Sequence, residues 1–402
     1  MIAVSISLYI ILFISFFILV KNIVKYKELN YTNPFFYFFV CVIFYFGIPS
    51  IFVREINYYY SWSLTEDDML FSNILASIII LIGSSMFYLF KNMPLNKYNY
   101  VQASAFIKLV WVLILTYLIF IVFIKFQAGT LIFSTTYTGT EDSYKLKNLS
   151  YLLVTISVVY FFEKKSFFVF IPNMLVAVLD LLEGSRTVAL IALIPVFICY
   201  AIHNKKTYLG LIAILFTMLI SVGIFRNALA TEQYGVPLYI NVMGEFRETY
   251  ILLPILINNE SFVGKGSFFD MASSIALPLL QPLRAELSTS SINSGVYAAE
   301  LVGRGYGLGS NFLVELIYYG YAFIIITLPL IAIFLYALRL LIINVNTTYA
   351  TIITCYSIVF IRLIVREGFF NNVMMILFVL LVYSVPFLVI NWAWLQHSKR
   401  IA

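Results

Sequence analysis

The sequence VGRGYGLGSNFLVELIYYGYAFIIITLPLIAIFLY, residues 302–336, marks the point where a long polar stretch gives way to an apolar one. Before it, residues 225–311 form a gap of about 87 residues between two apolar segments, and this gap holds five basic and seven acidic residues. After it, the chain is apolar enough to cross a bilayer, since a membrane-spanning helix needs roughly 20 apolar residues. The stretch therefore predicts a membrane protein that carries its polar chemistry in one large loop.

The composition of the whole chain indicates the same class. Of 402 residues, 62% are hydrophobic and 11% are charged, whereas a soluble protein carries about twice that share of charge. The net charge of +6 is scattered over short loops, so we expect no nucleic-acid partner. Cys41, Cys199 and Cys355 all fall within apolar segments, which favours small core residues over disulfides.

The apolar segments predict an all-α polytopic membrane protein with about 11 transmembrane helices, within a range of 10–12. The expected division is residues 1–224 with helices 1–8, the large loop 225–311, and residues 312–402 with helices 9–11. The predicted spans are 2–20, 35–53, 70–90, 106–124, 151–162, 166–182, 187–202, 207–224, 312–336, 349–365 and 372–392.

Two alternating sets of loops and span ends differ in charge. One set holds thirteen basic residues and two acids, and the other holds twelve basic residues and seventeen acids. Because Lys and Arg are enriched on the cytoplasmic side of membrane proteins, we predict that the first set is cytoplasmic. The N-terminus and the large loop then face outward, and the C-terminus faces inward. The cytoplasmic basic residues are Lys21, Lys25, Lys27, Lys91, Lys97, Lys108, Lys164, Lys165, Lys205, Lys206, Arg339, Lys399 and Arg400.

The kind of basic residue also differs between the two faces. The inner set has eleven Lys and two Arg, whereas the outer set has four Lys and eight Arg. Since arginine can bind a phosphate or carboxylate group through two parallel hydrogen bonds, we interpret the outer arginines as ligands for an anion. Ion pairing with the outer acids is the alternative for each arginine taken singly. The outer arginines are Arg54, Arg186, Arg226, Arg247, Arg284, Arg304, Arg362 and Arg366.

Within the large loop, two apolar stretches are interrupted by proline and are too short to span a bilayer. Residues 249–257 and 268–283 therefore predict interfacial helices that lie on the bilayer surface or fold over the bundle. Arg247 lies between Glu245 and Glu248 at the start of the first of these helices.

The end of the loop contains a glycine at every second position from Gly303 to Gly309. This pattern allows the backbone to approach a neighbouring helix or a ligand closely. Asn311 suits the cap of the ninth span, and Glu315, one turn later, is a buried carboxylate that needs a partner.

Histidine chemistry is not available on the predicted outer face, because His203 and His397 both belong to the cytoplasmic side. We therefore expect neither a histidine-dependent hydrolase nor a histidine-ligated metal there. The chain also has no P-loop, which excludes ATP hydrolysis by that route.

Three features together resemble the Wzy-type O-antigen polymerases, also called oligosaccharide repeat unit polymerases. They are Gly184-Ser185-Arg186 between two short apolar segments, one large outer loop late in the chain, and the exit sequence of residues 303–321. The spacing from Arg284 to Gly295, with ten residues between them, also matches a pattern credited to that family.

The resemblance implies a GT-C-like helical bundle in the bacterial inner membrane, with a periplasmic N-terminus and a cytoplasmic C-terminus. It implies a glycosyltransferase that joins undecaprenyl-pyrophosphate-linked oligosaccharide units into O-antigen polysaccharide, as part of lipopolysaccharide biosynthesis, without a metal or another cofactor. The implied partners are that lipid-linked oligosaccharide, the lipid bilayer and a chain-length-regulating membrane protein.

Such a reaction assigns roles to outer residues. A lipid pyrophosphate is the leaving group, and arginines near the membrane stabilise its rising charge. A carboxylate must accept the proton of the attacking hydroxyl group, and Glu248 and Glu300 are the candidates for catalytic base. The predicted pyrophosphate- and glycan-binding residues are Arg186, Arg226, Arg247, Arg284, Arg304 and Arg366.

Three other functions compete with the polymerase. An O-antigen ligase resembles this layout but is usually associated with an outer-face histidine, which this sequence lacks. A lipid-linked oligosaccharide flippase or other transporter would place charge along a central path and would not need a large outer loop. A structural partner of the polysaccharide machinery is the third alternative.

Overall fold

The computed structural model describes residues 2–25, 31–60, 62–91, 100–129, 141–183, 187–204, 236–276, 297–298, 301, 310–370 and 372–401. All regular structure in these residues is helical. Among the described residues, seven helical segments are long and apolar enough to cross a membrane: Pro34–Ile51, Glu66–Leu89, Ala105–Gln127, Lys145–Lys164, Ala322–Asn344, Thr347–Glu367 and Met375–Ser398. Three shorter apolar helices cover Ser7–Ile18, Phe167–Leu182 and Thr187–His203. The prediction of an all-helical polytopic membrane protein is confirmed, while the count of eleven spans and the GT-C fold stay predictions.

The helices before the large loop are α1 (Ile2–Lys25), α2 (Pro34–Val42), α3 (Ile48–Ile51), α4 (Val53–Tyr60), α5 (Glu66–Leu89), α6 (Ala105–Gln127), α7 (Glu141–Lys164), α8 (Ile171–Leu182) and α9 (Thr187–Asn204). A π-helical turn, Ile43–Gly47, joins α2 to α3 in one continuous segment. A 3-10 turn, Phe167–Phe170, leads into α8. The predicted span 207–224 lies outside the described residues.

The helices of the large loop and the C-terminal part follow in order. They are α10 (Leu238–Met243), α11 (Glu245–Leu256), α12 (Phe268–Ala276), α13 (Phe312–Tyr319), α14 (Ala322–Asn344), α15 (Thr347–Glu367), α16 (Met375–Tyr383) and α17 (Val385–Ile401).

Short polar side chains fix where several helices begin. The Asn33 side chain accepts a hydrogen bond from the Phe35 amide at 3.1 Å, directly before Pro34 opens α2. Thr65 and Asp68 form a reciprocal capping box at the start of α5. The Asn346 side chain accepts from the Tyr349 amide at 3.0 Å and starts α15. These caps satisfy backbone N–H groups that have no partner within their own helix.

Helix α15 lies at the centre of the bundle. In its most apolar stretch of 18 residues, 78% of the residues are buried, whereas the corresponding share in α6 is only 17%. One face of α15 places Ile361 and Ile364 in a core shared with α2, α5, α11 and α13. Another face places Tyr356 and Phe360 in a second core shared with α7, α8 and α9. The exposed apolar side chains of α6 are suited to contact lipid.

Contacts between helices that are far apart in sequence show which residues lie at the same end of the bundle. Lys125 pairs with Glu183 at 2.5 Å, and the Asn258 amide group donates to Asp68 at 2.6 Å. At the other end, Lys108 pairs with Glu163 at 2.6 Å. We call the first end, which holds Arg54, Arg247, Arg362 and Arg366, the arginine end, and the second, which holds Lys91, Lys108 and Lys164, the lysine end. Each of these pairs joins residues predicted to share one face of the membrane.

The structure differs from the predicted ninth span, residues 312–336. Gly320 adopts φ +116°, a conformation that L-residues rarely reach, and ends the eight-residue helix α13. The span itself is α14, which begins only at Ala322. Every residue of α13 is buried, so its apolar character reflects packing inside the protein rather than contact with lipid.

The two predicted interfacial helices have different positions. Helix α11 is folded into the bundle, with Tyr250, Leu252 and Leu253 fully buried. Helix α12 instead exposes Phe268 and Phe269, as expected for a helix at a bilayer surface.

Glu315 ties α13 to the end of α15. Its side chain is fully buried, and its Oε2 atom accepts hydrogen bonds from the amides of Phe369 and Phe370, at 2.5 and 3.1 Å. The carboxylate lies directly against Gly368, which has φ +131°. The predicted need of Glu315 for a partner is thus met by main-chain amides.

Two glycines allow the Glu315 contact to be tested. Gly320 and Gly368 have nearly the same backbone conformation, so alanine introduces a similar strain of about 1–3 kcal/mol at either position. A Cβ atom at Gly320 would meet nothing within 4 Å, whereas at Gly368 it would lie 2.5 Å from Glu315 Oε1. We expect Gly368→Ala to lower the melting temperature in detergent further than Gly320→Ala does. Equal shifts would contradict the packing of Glu315 against Gly368.

Candidate functional site

The arginine end is built around α11, which enters the bundle beside the π-helical turn and α5. The Tyr250 hydroxyl donates to Asn73 Oδ1 at 2.7 Å and so fixes α11 against α5. The Asn311 side chain donates to the Thr249 carbonyl at 2.7 Å and accepts from the Val314 amide at 3.1 Å. Asn311 therefore caps a helix as predicted, although the helix is the short α13, and it also anchors α11.

Arg247 is buried at the start of α11, with 5% of its surface exposed. Its Nε atom donates to Glu248 Oε1 at 3.0 Å, and its Nη2 atom contacts the same oxygen. Its Nη1 atom lies 3.4 Å from the Ile240 carbonyl. A buried guanidinium requires this kind of compensation, because an unpaired charge is strongly unfavourable inside a protein. The predicted anion ligand and one predicted base are thus partners of each other.

Arg362 and Arg366 lie one helical turn apart near the end of α15. Arg362 Nε donates to the Tyr45 hydroxyl at 3.1 Å. Arg366 Nη1 donates to Glu367 Oε1 at 2.7 Å, and the Arg366 side chain is 18% exposed. The ion pair of Arg366 fits the alternative that some outer arginines bind acids of the protein.

Tyr45 connects the two arginine-bearing helices. Its ring meets the ring of Phe246 edge to face, with centroids 4.8 Å apart, and Phe246 directly precedes Arg247. Its hydroxyl accepts from Arg362 on α15. We call Tyr45, Phe246, Arg247, Glu248 and Arg362 the arginine–tyrosine cluster.

The remaining predicted site residues are not described. Arg186, Arg226, Arg284, Glu300 and Arg304 lie outside the described residues, as do Gly295 and Gly303–Gly309. Their proximity to the arginine–tyrosine cluster stays a prediction.

Tyr45 is the member of the cluster that sequence reasoning missed. It lies in an apolar run and resembles the many other aromatic residues of this chain. Its position depends on the π-helical turn Ile43–Gly47, which leaves no clear pattern in the sequence. Such turns occur frequently at functional sites. A tyrosine at mid-span, able to reach a polar partner, is the one signal that could have pointed to it.

The phenols of α13 are hydrogen-bond donors rather than bases. Burial, with Asp270 as a further cause, raises the pKa of Tyr318 to about 12. Burial also raises the pKa of Tyr319. Both hydroxyls are therefore protonated at neutral pH.

In the described part of the chain, no three His, Cys, Asp or Glu side chains are grouped as a metal site would need. His203, at the lysine end, places its ring edge-on against Phe161. The described residues of the arginine end therefore offer guanidinium, carboxylate and phenol groups for chemistry.

Comparison of the chain with protein-family models, with curated proteins and with solved structures gave no match. The resemblance to the Wzy-type polymerases accordingly rests on the sequence features described above.

The Arg247–Glu248 pair can be measured by a double-mutant cycle with alanine at each position. We expect a coupling energy of about 2 kcal/mol, because Arg247 is buried and its partner is only partly exposed. The exposed pair Arg54–Glu66 serves as the control and should give about 0.2–1 kcal/mol. A coupling for the buried pair no larger than the control would contradict the ion pair.

Proposed function

We propose that this protein is a polymerase that joins lipid-diphosphate-linked oligosaccharide units at the outer face of the bacterial inner membrane. The observation that carries the proposal is the arginine–tyrosine cluster at one end of an apolar bundle, in which Arg247 and Tyr45 are buried and Arg362 is half-buried. Ionisable side chains at membrane depth are costly and are usually retained for a function. Guanidinium groups beside phenol donors suit a diphosphate, because both supply hydrogen bonds to anionic oxygens.

The proposed reaction moves a glycan from its lipid carrier to an acceptor sugar. The bond between the anomeric carbon and the diphosphate oxygen breaks, and a bond from the acceptor hydroxyl oxygen to that carbon forms. The leaving diphosphate keeps the bonding electrons, and positive charge beside it stabilises the transition state. The acceptor proton passes to a carboxylate.

Glu248 is a candidate for this carboxylate, and its ion pair with Arg247 determines when it can act. Protonation of Glu248 would cancel the charge that Arg247 binds, so Glu248 cannot act as a base while it remains the partner of Arg247. An arriving diphosphate would replace Glu248 as that partner and release the carboxylate toward the acceptor hydroxyl. Glu300 remains the second candidate for the base.

The proposed orientation places the arginine end and the N-terminus in the periplasm and the C-terminus in the cytoplasm. It is supported by the excess of lysine at the lysine end. The proposed partners are the undecaprenyl-pyrophosphate-linked oligosaccharide and a membrane protein that regulates chain length.

Arg247→Lys and Arg366→Ala test the proposal in cells that depend on this protein for surface glycan. Lysine keeps the charge at position 247 but loses the two-pronged hydrogen bonding of arginine. We expect both variants to insert normally but to reduce the ladder of glycan chain lengths toward a single repeat unit, as we also expect for Arg186→Ala and Arg304→Ala. Gel electrophoresis of the extracted glycan measures this.

Arg54→Ala is the matched control, because Arg54 lies at the same end and its ion pair with Glu66 is exposed, with 60% and 57% of the two side chains accessible. Its ladder should be unchanged. Full ladders in all four test variants would contradict the binding of diphosphate by these arginines. Loss of all surface glycan would instead favour a flippase or a ligase.

A further inference from the structure

Helix α8 and the 3-10 turn before it line an open groove that begins at the lysine end of the bundle. The groove has a volume of about 550 Å³, and Ser166, directly after α7, lies at its start. The rest of its lining is apolar and includes Phe167, Ile171, Met174 and Val178. These four side chains recur every three or four residues along one face, and all are exposed. The volume falls within the roughly 300–1,000 Å³ of typical ligand pockets.

Contacts with three neighbouring helices fix the shape of the groove. Trp111 of α6 donates a hydrogen bond to the Val169 carbonyl at 2.8 Å, which satisfies a main-chain group of the 3-10 turn. The Phe167 ring packs against Tyr200 of α9 and Phe161 of α7, with centroids 5.0 and 5.3 Å apart. The turn is therefore held in place, and the groove is formed before a ligand arrives.

Two adjacent lysines lie at the entrance of the groove. Lys164 and Lys165 directly precede it in sequence, and both side chains are exposed. Among the described residues, neither makes an ion pair. The neighbouring carboxylate of Glu163 is already bound by Lys108 at 2.6 Å and by the Ala103 amide at 2.9 Å. The positive charge at the entrance is therefore available to an anion.

The backbone of Lys165 is a second, independent observation. Lys165 adopts φ +53°, the left-handed conformation in which many helices end and which favours glycine. Its amide donates to the Phe161 carbonyl at 2.6 Å and closes the last turn of α7. Lysine at this position is less favourable for folding than glycine, which indicates that its side chain serves another purpose.

The length of the groove fits one leaflet of a bilayer. From Phe167 to Val178 the chain rises roughly 16–18 Å, at 2.0 Å per residue in the 3-10 turn and 1.5 Å per residue in α8. One leaflet contributes about 15 Å to the hydrocarbon core of a bilayer. An acyl chain that enters beside the two lysines would therefore run along the groove to about the middle of the membrane.

We propose that this groove binds one anionic phospholipid from the leaflet at the lysine end. An acyl chain lies along Phe167, Ile171 and Val178, and the headgroup contacts the ammonium groups of Lys164 and Lys165. The lysines select an anionic headgroup, because a zwitterionic one carries no net charge to attract them. The site lies at the opposite end from the arginine–tyrosine cluster and does not depend on the proposed function.

Native mass spectrometry of the full-length protein, released from detergent micelles, measures the Kd for the first lipid bound. Dioleoyl phosphatidylglycerol is the anionic probe, and dioleoyl phosphatidylcholine carries the same acyl chains without net charge. We expect the wild type to bind phosphatidylglycerol roughly 5–25-fold more tightly, since each lysine contributes about a factor of 5. Lys165→Gly should weaken the binding of phosphatidylglycerol about 5-fold.

Two controls accompany Lys165→Gly. Without added lipid, this variant should melt at the same temperature as the wild type or higher, because glycine adopts φ +53° without strain. Its loss of binding then cannot come from unfolding. Lys91→Ala removes a charge at the same end, above the Tyr88 ring of α5, which packs in the other hydrophobic core. It should leave the Kd for phosphatidylglycerol unchanged.

Met174→Trp tests the apolar part of the site. The larger side chain fills the groove while both lysines stay in place, so we expect phosphatidylglycerol to bind no more tightly than phosphatidylcholine. Ile333→Trp is the matched control, because it places the same side chain at an exposed position of α14. It should keep the preference for phosphatidylglycerol.

Equal Kd values for the two lipids in the wild type would indicate ordinary contact with bulk lipid and would overturn the site. Unchanged binding of phosphatidylglycerol in Lys165→Gly would overturn the headgroup contact, and unchanged binding in Met174→Trp would overturn the groove. A dimer that the wild type forms and Met174→Trp loses would identify a second copy of the chain as the occupant and reject the lipid.

Discussion

The interior of a membrane bundle leaves a polar group few ways to be satisfied, and this constraint shapes the whole protein. Water is excluded, so each buried donor, acceptor or charge needs a partner from the chain or from a ligand. Glu315 uses the amides of Phe369 and Phe370, Arg247 uses Glu248, and Asp180 accepts from the Ala189 amide at 2.8 Å. Positions where such partners meet also fix how the helices are arranged. At the arginine end, polar contacts of this kind join helices that are far apart in sequence.

Helix α15 connects the two hydrophobic cores and the polar groups at the arginine end. It contributes to both hydrophobic cores, and its end carries Arg362, Arg366 and the turn that receives Glu315. The π-helical turn between α2 and α3 brings Tyr45 to Arg362, and α11 brings Phe246 to Tyr45. The site thus forms where three elements far apart in sequence, the π-helical turn, α11 and the central helix α15, come together. Such convergence suits preorganised binding of a charged group, because the donors are already in position before the ligand arrives.

The sequence predicted the helical class and most of the apolar segments, because a membrane span requires a long run of apolar residues and little else. The span prediction was wrong at residues 312–336, where the apolar run continues across the break between helices α13 and α14. Gly320 ends α13 there, and α13 is apolar because it is buried in protein. Composition alone cannot separate these two kinds of apolar surroundings. The buried state of Glu315 was predictable from its position, but its partners were not, since they lie more than fifty residues away.

The candidate site was predictable to a similar degree. The bias toward arginine on one face predicted that Arg247 and Arg366 lie at the same end of the bundle, and their role in binding an anion stays a prediction. The pairing of Arg247 with its neighbour Glu248 was one of the two alternatives that the sequence left open. Tyr45 could not be chosen from 30 tyrosines, because its role depends on helix packing. The role of a polar residue that acts through tertiary contacts cannot be predicted from the residues next to it in the sequence.

The central claim is that arginines gathered at one end of the bundle bind a diphosphate carried by a lipid. Photo-crosslinking tests it most directly, with a polyprenyl diphosphate that bears a photoreactive group next to the diphosphate, in nanodiscs that contain the full-length protein. Mass spectrometry then locates the labelled peptides. The account predicts labels on the end of α15 around residues 362–367 and on the π-helical turn Ile43–Gly47. Labels confined to the lipid-facing side chains of α6, with none on these two segments, would contradict it.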